Sequence, residues 1–361
     1  MIGLACQARA MQFALVIMFT LTGCGTAPIA VFKLEADADS NRWVWPPPPE
    51  TPRFRFVGQM TGEENFFKEN ADKELWIIRA LKWVVGLGSG PIEPRILQRP
   101  QGGVVDDAGR IYVTDVSRQA VCVFDRSTGK FEIWEWADSD VRFRTPISIV
   151  VEASGDVLVA DSALGRVARL SGDGQPKGWI GNQYLNFPTG LAYDAQRGHL
   201  YVADTRANTV FVFNAGGELV SRIGSWGESD GQFNSPTHLS FQNDELFVSD
   251  TLNARIQVFS HDGKFLRRIG RRGLFVGDTP RPKGVSAAQN GLVYVVESYY
   301  DHLLVFNTQG EFLMPIGGTG QGPGQFYLPA GVWSDKNNFV YVADMFNGRV
   351  VVFEFLGEGN G

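Results

Sequence analysis

A short apolar run closing on a carboxylate recurs through most of this chain, and its spacing is nearly constant. It reads YVTD at Asp115, LVAD at Asp161, YVAD at Asp204, FVSD at Asp250, YVVE at Glu297 and YVAD at Asp344, at intervals of 46, 43, 46, 47 and 47 residues. Other positions keep step with it. A proline stands ahead of each copy, at Pro100, Pro146, Pro188, Pro236, Pro282 and Pro329, and two residues later come Gly102, Ser148, Gly190, His238, Gly284 and Gly331. The most regular copy runs from Phe233 to Gly270 and holds four β-type runs, LSF, ELFVSD, RIQVF and KFLRRIG. Asn243-Asp244 and Asp262-Gly263 separate runs in the manner of hairpin turns. Four strands in up-and-down order make a sheet with two apolar faces that it cannot bury alone. Copies of itself can bury them, and a period in the forties with four strands per copy predicts β-propeller blades.

The copies number six, and the last is incomplete. After RVVVFEF the chain ends at LGEGNG with no fourth strand. The run RFRFVG (53–58) near the N-terminus resembles the fourth strand FLRRIG and has no partners of its own around it. Placed on the sixth unit it closes the ring and covers the edges that an open array leaves exposed. The predicted fold is therefore all-β: a six-bladed propeller of four-stranded blades over residues 53–361, its last blade closed by an N-terminal strand. Glycine (42) and proline (18) suit a chain with this many tight turns, and the net charge of −6 gives no reason to expect a nucleic-acid partner.

Two stretches lie outside the repeat. Arg9 precedes an apolar run from Met11 to Leu21, too short to span a bilayer as a helix, which ends in Leu21-Thr22-Gly23-Cys24. This ending looks like the lipobox of bacterial lipoproteins. The resemblance implies a signal peptide over 1–23, acylation of Cys24 and attachment to the cell envelope. Gly25 follows, with no retention aspartate, so the outer membrane is the default, facing the periplasm or outside. Residues 24–52, with Pro46 to Pro49 in a row, read as a Pro-rich tether. Cys6 leaves with the signal, which makes Cys122, in AVCVF, the one thiol left and most simply a buried hydrophobe. The second stretch, ADKELWIIRALKWVV (71–85), breaks the β pattern with good helix formers and a narrow polar stripe. It predicts one inserted α-helix within about 68–90, with Trp76, Ile77, Leu81 and Trp83 as candidate docking residues, a lid or docking element beside the channel mouth.

The units resemble the NHL repeat, a family of propeller blades. The Pro-x-Gly opening, the YVAD strand, and the Asn and Arg that follow it (Asn253 with Arg255, Asn347 with Arg349) carry the resemblance. It extends over 95–361 and 53–58. NHL propellers include protein-interaction modules, RNA binders, sensor ectodomains and a zinc lyase, so the family implies the fold and leaves several functions open.

Residue types narrow those functions. Six strand-end carboxylates around one axis are weak metal candidates, calcium above all, but a carboxylate at that point more simply caps the loop that follows it. A zinc site needs converging histidines, and of His199, His238, His261 and His302 only His238 is expected at the axis. No catalytic residue and no resident metal are assigned. A basic cluster is the stronger feature. Arg267, Arg268, Arg271, Arg272, Arg281 and Lys283 surround Asp278, and Arg142 and Arg144 occupy the equivalent loop of the first unit. Together with His238, the residues Arg271, Arg272, Arg281, Lys283, Arg142 and Arg144 form the candidate binding face. The expected function is that of a membrane-anchored extracytoplasmic propeller serving as a protein-interaction scaffold or ligand-binding module. The alternatives are a calcium- or zinc-dependent hydrolase or lyase at the channel mouth, and an envelope glycan binder. If one blade carries the function, the fourth, with His238 and four of the arginines, is the first choice.

Overall fold

A computed structural model describes residues 30–36, 42–67 and 95–357. The signal segment, Cys24 and the expected helix with Trp76, Ile77, Leu81 and Trp83 lie outside the described residues. The described residues from Val31 onward form a closed ring of six antiparallel sheets. The inner strands are Pro100–Val105, Pro146–Val151, Pro188–Asp194, Pro236–Gln242, Pro282–Ala287 and Val332–Ser334. Each contacts the next, and the sixth closes on the first.

Blades 1 to 5 are hairpin-joined meanders whose strand order follows the sequence. Glycines at positive φ, such as Gly174, Gly217 and Gly263, make the tight turns before the outer strands. The six hydrophobic clusters sit between blades rather than within them. One joins Val248 and Phe259 of blade 4 to Tyr201 and Val212 of blade 3, and another joins Phe353 of blade 6 to Tyr294 and Val305 of blade 5. Stacking is thus the source of the core, as the two-faced sheet requires. Cys122 is fully buried between blades 1 and 6, and burial pushes its thiol pKa far up, leaving it inert.

The ring closes as the sequence predicts. Phe54–Met60 pairs antiparallel with Arg349–Phe355 and supplies the outer strand of blade 6. The Pro-rich stretch differs in part from a free spacer. Val44–Trp45 adds a fifth strand against Phe54–Met60, and the Trp45 ring packs edge-on against Phe353 at 5.5 Å. Val31–Phe32 pairs with Phe66–Phe67 and seats Phe32 against Phe124. Aromatic burial holds these segments on the propeller despite their proline content.

Candidate functional site

The strand-end carboxylates are all engaged by their own blades. Asp115 accepts the N–H groups of Gln98 and Arg99 from the loop entering blade 1, and those of Ser117 and Arg118 from the loop after its second strand. Asp161 repeats the pattern with Arg144, Thr145, Ala163 and Leu164. Both loop sets therefore lie on one face, knotted together by these acids. In blades 4 and 6 the knot includes side chains: Asp250 pairs with Arg255 at 2.9 Å and Asp344 with Arg349 at 2.8 Å. Glu297, whose longer side chain still reaches the Arg281, Tyr299 and Tyr300 N–H groups, is raised in pKa by burial. With their lone pairs so occupied, these residues do not fit a calcium or zinc site, and no three His, Cys, Asp or Glu side chains converge among the described residues.

The residue two after each proline explains the axis. A Cβ on Gly190 would stand 2.5 Å from the Thr237 carbonyl oxygen, and one on Gly284 would stand 2.6 Å from the Val332 nitrogen. Inner strands abut backbone to backbone here, so glycine is needed for close approach. Two blades depart from it. Ser148 turns its Oγ to accept the Leu191 N–H at 3.0 Å. His238 faces an axial cavity of about 290 Å³ that starts at this ring and extends past Tyr193, Ala195 and Phe241 to the hairpins of the opposite face. Both His238 nitrogens are buried without a hydrogen-bond partner in the described structure. Burial, and then the Lys283 charge, push its pKa down to about 3, so the ring is neutral. His238 is at the axis as predicted, but it belongs to this cavity and not to the arginine-bearing face.

The arginine cluster separates into unlike parts. Arg267 forms a bidentate pair with Glu245 at 2.6 Å, Arg268 lies 3.7 Å from Asp230, and Arg271 pairs with Asp278 at 2.9 Å. Arg272 donates to the Leu252 carbonyl and lines, together with Arg255, Arg268 and Arg271, a groove that also holds Glu228 and Asn253. Arg142 pairs with Glu135 and covers the Trp136 ring, while the exposed Arg144 uses its backbone N–H on Asp161. Asp278 is not the one acid among these arginines, since Glu245 and Asp230 pair with Arg267 and Arg268, whereas Arg268, Arg271 and Arg272 still line one groove.

Two predicted residues do come together, with a third that the sequence reading missed. Lys283, half-buried at the start of the blade 5 inner strand, makes no ion pair or amine hydrogen bond among the described residues. Burial, then Arg281, then Arg99, push its pKa down to about 8. Arg99 comes from blade 1 and covers the Phe346 ring at 5.0 Å, and Phe346 meets Tyr327 at 5.7 Å. Tyr299, 63 % exposed, Tyr327 and Phe346 extend this face over blades 5 and 6. The signal for Arg99 was present: it precedes Pro100 as Arg281 precedes Pro282.

A family model described as a 6-bladed beta-propeller matches residues 228–274 and 283–358, and an NHL repeat model matches 185–213. No curated protein matches the chain. Among solved structures, virginiamycin B lyase from Staphylococcus aureus is 14% identical with a TM-score of 0.52, covering 72% of this chain and 96% of that one. An auxiliary nutrient binding protein from Bacteroides thetaiotaomicron is 13% identical with a TM-score of 0.56, covering 71% and 69%. A chain of a nidogen/laminin complex is 16% identical with a TM-score of 0.52, covering 70% and 89%. At these identities the likeness is one of fold.

Proposed function

Because the chain is a six-bladed β-propeller of the NHL-repeat type, we propose that it is a non-catalytic binding module that holds a protein partner on its loop face. The observation that carries this reading is the aromatic and arginine rim over blades 5, 6 and 1, where Arg99 covers Phe346 beside Tyr327 and Tyr299 stands exposed. Tyr, Phe and Arg are the side chains that protein interfaces enrich and on which binding energy concentrates. A solved relative named for nutrient binding and another within a nidogen/laminin complex share the fold, which accords with a binding role. The hydrolase or lyase alternative would need carboxylates that already cap their loops. The lipid anchor at Cys24, with attachment to the outer membrane, belongs to this proposal as its setting.

The double variant Tyr299→Ser, Tyr327→Ser tests it, since both side chains are exposed and fold stability should hold. A partner captured from envelope extract by the full mature protein should be recovered at least about tenfold less by the variant, as expected for hot-spot aromatics. Equal recovery of every captured protein by the two would overturn the reading.

A further inference from the structure

We propose that the axial end of the loop face is a binding site for a small anion bearing a carboxylate or phosphate group, held by Lys283 together with Arg99 and Arg281. This goes beyond partner docking, because the site is complete in the free protein.

One position in the repeat sets blade 5 apart. The residue after each conserved proline is Gln101, Ile147, Thr189, Thr237, Lys283 or Ala330. Blades 3 and 4 place threonines there, and each is satisfied: Thr189 meets the Thr205 hydroxyl and Thr237 the Thr251 hydroxyl, both at 2.7 Å. Blade 5 alone places an ionisable group in this ring of positions. Lys283 is half-buried, and its amine lacks an acidic partner among the described residues. A cation removed from water without a partner is costly, and two more cations nearby increase that cost.

The surroundings offer no internal remedy. Glu297, on the strand paired with Pro282–Ala287, accepts three loop N–H groups. His238, on the neighbouring blade 4, is neutral. Asp115, beneath Arg99, accepts four N–H groups. On blade 6, between Lys283 and Arg99, the equivalent position is the small, buried Ala330, which adds no charge and little bulk. Three cations from blades 5 and 1 therefore share a region whose acids all point elsewhere. An anion there gains a compact ammonium and two guanidinium forks, the geometry that suits carboxylate and phosphate. The backbone brings these positions together: the Gly284 N–H donates to the Ala330 carbonyl at 2.8 Å, and Gly331 lies directly against Gln101 and Gly102, so the entries of blades 5, 6 and 1 meet at this end of the axis.

Binding has a proton signature. An anion beside the amine favours its charged form and raises its pKa. At about pH 9 the free site is mostly deprotonated and the occupied site protonated, so association should take up nearly one proton. The probes are sulfate, a dianion at both pH values, and citrate, used at about pH 9 where its three carboxyls are ionised, measured by calorimetry on the full mature protein in two buffers of different ionisation enthalpy. We expect saturable binding, with proton uptake at about pH 9 that disappears near pH 6. Lys283→Gln should weaken binding at least about tenfold, as for loss of a charge-assisted contact. Lys283→Arg should retain binding but lose the proton uptake, which guards against a variant that merely misfolds. Arg99→Gln should weaken binding several-fold, while the Tyr299→Ser, Tyr327→Ser protein, defective in partner capture, should bind both probes normally. No saturable binding of either probe would overturn the proposal, leaving an acidic side chain of a partner as the sole occupant. Binding unchanged in Lys283→Gln would overturn it equally.

Discussion

Blades 4 and 5 stand side by side, share one interface cluster, and treat their charges in opposite ways. In blade 4 the strand-end Asp250 is held by Asn234, Asn253, Arg255 and Gln257, and the Arg255 guanidinium continues to the Ser229 and Gln232 carbonyls. In blade 5 the positions equivalent to Asn253 and Arg255 are Tyr300 and His302, and Glu297 receives backbone N–H groups alone. Blade 4 uses its arginine as structure. Blade 5 has no such arginine, and its cations, Arg281 and Lys283, are left at the axis without acids. The regular unit thus carries the repeat's stability, whereas the irregular one carries free charge. Departure from the repeat, rather than conformity to it, marks the place to look for a ligand.

The comparison is broken most severely at Arg255. Its side chain is 6% exposed and its partner Asp250 fully buried. Arg255→Met should lower unfolding stability by about 3–5 kcal/mol, the usual cost of stranding one member of a buried pair, as read from urea denaturation. His302→Ala at the equivalent position of blade 5 should cost about 1–2 kcal/mol, since no charge pair is lost there. Equal effects would mean that the two blades are held alike and the contrast is wrong. Next in size is Gly190→Ala. The added Cβ meets the Thr237 carbonyl at 2.5 Å and the His238 Cα at 2.9 Å, backbone that cannot step aside cheaply. A loss of about 1–3 kcal/mol is expected, and a neutral result would show that the inner strands can spread.

Much of the fold was legible because its determinants are local and repeated. The strand-end carboxylates, the prolines and the turn glycines sit at fixed offsets, so six units and a borrowed outer strand followed from counting. The capping role of Asp115 and its equivalents was legible for the same reason: their partners lie within one repeat. The charge map was not. Arg267 finds Glu245 across its own blade, and Arg99 influences Lys283 from a blade at the far end of the sequence. Proximity in sequence made Arg267, Arg268, Arg271, Arg272, Arg281 and Lys283 look like one patch, and only the pleat and the blade stacking sort them into paired and free. His238 is at the axis, where it lines a cavity that also reaches Tyr193, Ala195 and Phe241, an extent that depends on six inner strands meeting and that no single repeat displays. Trp45 shows a third limit, where a run of prolines conceals an aromatic anchor.

The gentlest test of the contrast is the pH dependence of stability in the absence of ligand. The Lys283 amine titrates near 8 in the folded protein, below its ordinary value near 10.4 in the unfolded chain. Between those values the unfolded state binds more protons than the folded one, so unfolding free energy should rise with pH through this window. Partial exposure to solvent reduces the full linkage energy, and the gain expected is about 1–2 kcal/mol. Tyrosines such as Tyr201 and Tyr294, both pushed up to about 12, act in the other direction above about pH 10, where the unfolded phenols ionise first. The measurement is therefore a difference: wild type against Lys283→Gln, by urea denaturation at about pH 7.5, 8.5 and 9.5. Wild type should gain on the variant as pH rises. Parallel curves would place the Lys283 amine in open water and remove the distinction between the two blades.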